Sequence, residues 1–186
     1  MMRHLLLSSL SAIAWLVVFG PLHTSAAPKP AESDKPNFSG NWTLDLRASS
    51  SLDGLMSHLG ASFIDRKYAA WTKLKAILRQ SDDVLTIEAR GPAFAFNQTL
   101  YLDGRSDTSA LQLLGATSVN AKTTWSKDKR QLVETHQIRT KQGKDGQLII
   151  KRALTDDGNT IEVAYSLKLG AEPDQTSARQ IWHKDA

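Results

Sequence analysis

Regular alternation of apolar and polar residues dominates this sequence and restricts it to a mainly β architecture. In residues 161–169 every second side chain is apolar, a period of two that is typical of a strand with one buried face. Similar runs occupy residues 42–46, 74–80, 84–90, 94–102, 118–125, 132–138, 148–154 and 177–183, with a weaker one at 109–114. Clusters of Asp, Gly, Lys and Pro separate them, which favours a sandwich or barrel of antiparallel neighbours.

One segment directly after the first strand breaks this alternation. Its apolar residues recur at steps of three and four: Leu52, Leu55, Met56, Leu59, Phe63, Ile64, Tyr68 and Trp71. That spacing predicts two short amphipathic helices over residues 52–59 and 62–68, with a break at Gly60. Ser51 and Ser62 are the candidate N-caps.

The amino terminus has the pattern of an export signal. Residues 1–26 combine a short basic start, an apolar run too short to span a bilayer comfortably, and small residues suited to cleavage. An uncleaved membrane anchor is the alternative. The polar, proline-rich residues 27–36 predict a linker, and residues 37–186 form one domain. We expect a periplasmic or secreted protein.

Composition excludes several classes of function. The chain has 186 residues and no cysteine, so disulfides, thiol nucleophiles and Cys-based metal sites are impossible. Its net charge of +4 is dispersed, and we expect no nucleic-acid partner. Nucleotide-binding loops and hydrolase motifs are also missing from the sequence. We therefore expect a monomeric protein that is not an enzyme and has no metal or cofactor.

Five stretches in the right order resemble the calycins, and within them the intracellular fatty-acid-binding proteins. The stretches are NFSGNW at 37–42, residues 52–67 as a helix-turn-helix lid, DVLTI at 83–87, residues 148–158 with an arginine before a tight turn, and IW at 181–182. The resemblance implies a ten-stranded antiparallel up-and-down β-barrel with a two-helix lid after the first strand. It also implies an internal cavity for a small hydrophobic or amphiphilic, fatty-acid-like ligand.

The resemblance also implies a set of ligand-binding positions. The family grips a carboxylate with two arginines and a tyrosine, and the matching positions here are Arg152, Gln180 and Trp182. Two of the three residues therefore differ from the family pattern. Trp42 is interpreted as an aromatic that closes the barrel floor by packing, and a ligand contact is the alternative.

Strand parity independently predicts which side chains face the interior. Arg152 shares a face with Leu148 and Ile150, whereas Lys151 points the other way. The same reasoning places Glu134 and His136 inside with Leu132 and Ile138, and Gln180 inside with Trp182. Glu134 and His136 are therefore further candidate ligand-binding residues. The predicted interior is apolar with one polar end.

The predicted burial of Arg152 leaves two interpretations. A buried guanidinium keeps its charge and needs an anion or water. In one interpretation the anion is a ligand carboxylate, phosphate or sulfate; in the other it is Glu134, and the ligand is then neutral.

The helices are expected to gate entry to the cavity. Leu55, Met56, Leu59, Phe63 and Ile64 form the predicted face toward the barrel rim, with Met56 and Phe63 as ligand contacts. Four basic residues lie nearby: Arg66, Lys67, Lys73 and Lys75. They form either a solvated face or a patch for transient contact with an anionic membrane.

The sequence predicts an exported, non-enzymatic carrier of a small hydrophobic ligand. One rival is a structural or inhibitory envelope protein whose barrel is filled by its own side chains. Another is an enzyme that uses Glu134 and His136 as a base pair, although no nucleophile or oxyanion device accompanies them.

Overall fold

The computed structural model describes residues 35–92, 94–108, 111–170 and 176–186. These form eleven strand segments and two helices. In chain order they are β1 (Gly40–Asp45), α1 (Asp53–His58), α2 (Phe63–Trp71), β2 (Lys75–Gln80), β3 (Val84–Gly91), β4 (Phe94–Tyr101), β5 (Ser106–Asp107), β6 (Leu111–Leu113), β7 (Ala116–Trp125), β8 (Gln131–Arg139), β9 (Asp145–Leu154), β10 (Thr160–Leu169) and β11 (Thr176–Lys184).

All eleven segments belong to one antiparallel sheet. Its order is β4-β3-β2-β1-β11-β10-β9-β8-β7-β5, and β6 also pairs with β7. Since β5 and β6 lie on the same side of β7, the segments fill ten positions. Pairing of the first strand with the last rolls the meander into a nearly closed barrel, which confirms the predicted fold. Among the described residues, no strand pairing joins β4 to β5.

The strand alternation sorts side chains between the barrel interior and solvent. Along β8, Leu132, Glu134, His136 and Ile138 are buried, as parity predicts, while the residues between them are more exposed. Trp42 packs into the core together with Phe38, and its indole Nε1 donates to the Phe38 carbonyl oxygen at 3.0 Å. This burial agrees with the predicted role of Trp42 in closing the barrel floor.

The two helices lie where the sequence predicts them, with Gly60 between them. Ser62 caps α2, because its Oγ accepts from the Asp65 amide at 3.1 Å. Leu52 is the N-cap of α1, and Ser51 instead accepts from the Asp53 amide. Gly60 has a φ of +89°, which glycine adopts without strain and which ends the first helix.

A close backbone approach holds the helical lid against the barrel. A Cβ atom on Gly115 would lie 2.6 Å from the Ala61 amide nitrogen, so only glycine fits there. Gly115 lies between β6 and β7, and Ala61 lies between α1 and α2. The lid therefore meets the barrel at the side where β6 and β7 turn.

The prediction that Phe63 and Ile64 face the barrel rim is wrong. Leu55, Met56 and Leu59 are buried as predicted, but Phe63 and Ile64 are exposed. The reason is that α2 turns a mixed, less bulky face toward the barrel. Large apolar residues at helical spacing identify one face of a helix without showing what that face contacts.

The predicted export signal and most of the predicted linker lie outside the described residues. The two linker residues that are described contact the barrel. The Pro36 carbonyl oxygen accepts from Gln80 Nε2 at 3.0 Å, and the Lys35 ammonium lies over the Trp125 ring. Within the described ranges, no helix has the length and hydropathy to cross a bilayer.

Candidate functional site

The barrel encloses a cavity of about 390 Å³ beneath the lid. This volume is typical of small-molecule sites, which span about 300–1,000 Å³. Most of the wall is apolar and comes from strands on both sides of the barrel: Leu74, Ala76, Leu78, Ile87, Ala89, Phe96, Ile150, Ile161 and Val163. The lid contributes Leu52 and Met56, together with Asp65, Tyr68, Ala69 and Thr72 of α2 and its C-cap. An apolar molecule bound here would bury much of its surface against this wall.

The predicted site residues occupy three kinds of position. Arg152, Gln180, Trp182 and Met56 line the cavity. Glu134 and His136 are fully buried behind the wall. Phe63 lies outside the cavity, because its side chain is 64% exposed on the outer surface of α2.

Arg152 and Glu134 form an ion pair at the polar end of the cavity. Arg152 Nη1 contacts Glu134 Oε1 between the neighbouring strands β9 and β8. The Glu134 side chain has no exposed surface, whereas that of Arg152 retains 11%. Burial lowers the pKa of the Arg152 guanidinium, but an arginine starts from so high a value that it stays charged at neutral pH. Of the two sequence interpretations, the pair is the one present in the structure.

Gln98 is a member of this polar cluster that the sequence analysis missed. Its Nε2 donates to Glu134 Oε2 at 3.1 Å, from β4 on the other side of the gap between β4 and β5. Strand parity along β4 places Gln98 on the inward face with Phe96 and Leu100. The same pattern would have identified Gln98 from the sequence. The contact joins the edge strand β4 to β8 through the interior.

His136 completes the cluster as a neutral imidazole. Its Nε2 lies 3.2 Å from Glu134 Oε2 and its Nδ1 lies 3.0 Å from Ser118 Oγ. Since a carboxylate only accepts, the ring proton belongs on Nε2, and Nδ1 accepts from the serine hydroxyl. Burial lowers the pKa of His136 from 6.5 to about 4, and the nearby Asp107 carboxylate opposes this only in part.

The lowered pKa of His136 predicts a specific loss of stability in mild acid. The unfolded chain takes up a proton near pH 6.5, while the folded chain does so only near pH 4. The free energy of unfolding should therefore fall by about 1–3 kcal/mol as pH drops through that window. Urea denaturation at several pH values measures this slope.

Two histidine variants separate this effect from general acid sensitivity. His136→Gln should flatten the slope between pH 6.5 and 4, and His58→Gln, at an exposed position of α1, is the control for replacing a histidine. Surface carboxylates with a lowered pKa, such as Asp145, affect stability only below their ordinary value of 3.8. An unchanged slope in His136→Gln would show that protonation of His136 does not cause this loss of stability.

A second hydrogen-bonded pair lies beside Arg152. Tyr165 Oη donates to Gln180 Oε1 at 2.8 Å, from β10 to β11, and both residues line the cavity. Burial raises the pKa of the Tyr165 phenol, so it remains a protonated donor. The sequence analysis identified Gln180 but not its hydrogen bond to Tyr165.

The outer surface of α2 carries an exposed apolar patch with two lysines. Phe63, Ile64 and Trp71 are 64%, 77% and 82% exposed, and Lys67 and Lys73 lie beside them. The Lys67 ammonium stands 5.3 Å from the centre of the Phe63 ring. We call these five residues the α2 outer patch. Contiguous exposed apolar surface of this kind marks interaction sites.

The lidded barrel contains an apolar cavity that is large enough for a small molecule. Among the described residues, no group of three or more His, Cys, Asp or Glu side chains is placed to hold a metal ion. The polar groups at one end of the cavity can orient a ligand, and the apolar wall can hold its chain.

Comparison with solved structures places this architecture among known folds. A fatty acid-binding protein from brain tissue of Drosophila melanogaster superposes with a TM-score of 0.58 at 19% identity, covering 79% of this chain and 99% of that one. Human cRBP IV gives a TM-score of 0.59 at 17% identity, covering 80% and 98%. A Schistosoma mansoni fatty acid binding protein in complex with arachidonic acid gives 0.58 at 17%, covering 80% and 96%.

The chain therefore has the fold of these fatty-acid-binding proteins. No protein-family model matches the sequence, and no curated protein sequence matches it. At sequence identities below one fifth, these structures show the fold alone. Function has to be inferred from the residues of the cavity.

Proposed function

We propose that this protein is an exported, non-enzymatic carrier that binds one small hydrophobic or amphiphilic molecule inside its barrel. The observation that carries the proposal is the apolar cavity of about 390 Å³ with its polar cluster at one end. Burial of a ligand chain against such a wall contributes about 25 cal/mol for each Å². The fatty acid-binding proteins that share the fold support binding of such a ligand.

Export follows from the amino-terminal pattern of residues 1–26, and the carrier works in a periplasm or outside the cell. The absence of cysteine is compatible with such a compartment. This part of the proposal rests on the sequence of residues 1–26. Detection of the mature chain, beginning near residue 27, in a periplasmic or secreted fraction would test it.

The rival interpretations find less support. A barrel filled by its own side chains would leave no space beneath the lid, and the cavity argues against it. An enzyme using Glu134 and His136 would need them to reach a substrate. Both side chains are fully buried behind the cavity wall and bonded to other protein groups.

Binding of a neutral fluorescent probe tests the carrier proposal. The delipidated protein should bind N-phenyl-1-naphthylamine saturably, with one molecule for each chain. Native mass spectrometry followed by organic extraction should also show an amphiphile carried by the protein as purified. A protein that binds no probe and carries no lipid would contradict the proposal.

The α2 outer patch is the surface through which the carrier touches membranes. Its exposed aromatics can insert at the interface, and Lys67 and Lys73 are attracted to anionic lipid by about 1 kcal/mol each. Transient contact of this kind would bring the helical lid to the source or the destination of the ligand. High salt should weaken the contact, since the lysine contribution is screened.

Replacing two aromatics of the patch should weaken membrane binding. The Phe63→Ser/Trp71→Ser variant should bind vesicles of phosphatidylcholine and phosphatidylserine at least about tenfold more weakly, because each buried aromatic contributes about 1.5–3 kcal/mol. Val119→Ser removes a half-exposed apolar side chain on β7 and serves as the control. Co-sedimentation measures both, and equal binding by wild type and the double variant would contradict membrane contact through α2.

A further inference from the structure

The polar end of the cavity carries no net positive charge, because Arg152 is matched by Glu134. Arg152 and Asp65 are the charged residues among those that line the cavity, and Asp65 lies on the lid. Glu134, directly behind the wall, contacts the Arg152 guanidinium. His136 is neutral because burial lowers its pKa to about 4. An anionic ligand entering this cavity would therefore meet a cation that is already neutralised.

Glu134 cannot release Arg152 to a ligand at low cost. Its side chain has no exposed surface, so no water replaces a lost partner. Its contacts with Arg152, Gln98 and His136 come from three different strands and fix its position. A ligand carboxylate would have to share the guanidinium with Glu134, which places two negative charges close together in a buried site.

An uncharged polar head finds matching partners in the same place. Tyr165 uses its proton on Gln180 Oε1, which leaves the Gln180 amide Nε2 as a donor and the Tyr165 oxygen as an acceptor. Both residues line the cavity beside Arg152. A hydroxyl can use both groups, and a carbonyl oxygen can accept from the amide. Neither head has to leave water as an ion.

We infer that the cavity selects an uncharged amphiphile with a hydroxyl or carbonyl head, such as a long-chain alcohol, over the corresponding carboxylate. This inference rests on the proposed carrier function and names its ligand class. Glu134 acts here as a specificity-determining residue: it touches no ligand, and it cancels the charge that would recruit an anion.

Dodecan-1-ol and dodecanoate form a matched probe pair, because they share one chain length and differ in the head. Displacement of N-phenyl-1-naphthylamine at pH 7.5 should show the alcohol binding at least tenfold more tightly to wild type. Glu134→Gln keeps the shape and the acceptor for Gln98 but leaves Arg152 as a free cation. That variant should bind dodecanoate at least tenfold more tightly than wild type does, with no comparable gain for the alcohol.

Glu162→Gln provides the charge-matched control. It removes the same negative charge from the outer surface of β10, where Glu162 pairs with Arg179 at 3.6 Å. Its preference for the alcohol should equal that of wild type. Should Glu134→Gln fail to fold, Glu134→Gln/Arg152→Gln removes both charges, and it should retain the preference for the alcohol.

The outcomes separate this inference from the proposed function. The head-group inference is overturned if wild type binds dodecanoate as tightly as dodecan-1-ol, or if neither compound displaces the probe. In both cases the binding of N-phenyl-1-naphthylamine would still support the carrier function. The inference also fails if the double variant prefers the acid. If wild type does not bind N-phenyl-1-naphthylamine at all, the carrier function fails first.

Discussion

Replacing Arg152 by leucine should lower the free energy of unfolding by about 3–5 kcal/mol, because it strands a buried carboxylate without its counter-ion. Glu134 has no exposed surface and would keep only Gln98 and His136 as partners. Its desolvation would then be uncompensated. Urea denaturation followed by circular dichroism measures the difference as a shift in midpoint at constant slope.

Two further variants test whether the pair itself causes this loss. Glu134→Leu/Arg152→Leu removes both charges and should recover stability to within about 1 kcal/mol of wild type, since a buried pair and an apolar pair differ little. Lys151→Leu removes a neighbouring cation that points to solvent and should change stability by about 0.5 kcal/mol or less. Wild-type stability in Arg152→Leu would show that Glu134 does not depend on this cation.

Filling the cavity by Ala89→Trp should abolish most ligand binding. Ala89 is buried on β3 and lines the cavity, so an indole at this position occupies space meant for the ligand. Loss of about 110 Å² of apolar contact forfeits about 2.7 kcal/mol, which weakens binding about 100-fold. Titration with N-phenyl-1-naphthylamine measures the effect.

Arg90→Trp is the matched control for the filled cavity. It places the same side chain at the next position of β3, where residue 90 is exposed on the opposite face. Probe affinity should remain within about twofold of wild type, because an outward indole does not enter the barrel. Equal binding by Ala89→Trp and Arg90→Trp would show that the probe occupies another surface.

The sequence could predict the barrel and the inward side chains because both follow from a period of two. A register shift of one residue would move every inward side chain of a strand to solvent. Strand parity therefore predicts that Arg152, Glu134, His136 and Gln180 face the interior. Their burial in the structure agrees with this reasoning. The two helices could also be predicted, from the spacing of their apolar residues and from the Ser62 N-cap.

The remaining features depend on contacts between distant parts of the chain. Whether Arg152 meets a ligand or Glu134 depends on side-chain geometry between β8 and β9, which alternation leaves open. Gln98 reaches Glu134 from β4 across the interior, a contact that no local pattern encodes. The outward position of Phe63 depends on how α2 docks, and helix periodicity alone predicted the opposite face.

Binding of the ligand inside the barrel can be seen in a crystal structure of the delipidated protein with dodecan-1-ol. We expect one alcohol within the barrel, its chain against Ile87 and Val163 and its hydroxyl within hydrogen-bonding distance of Gln180 or Tyr165. An empty cavity at saturating alcohol, or an alcohol bound only on the α2 outer patch, would show that the barrel interior is not the binding site.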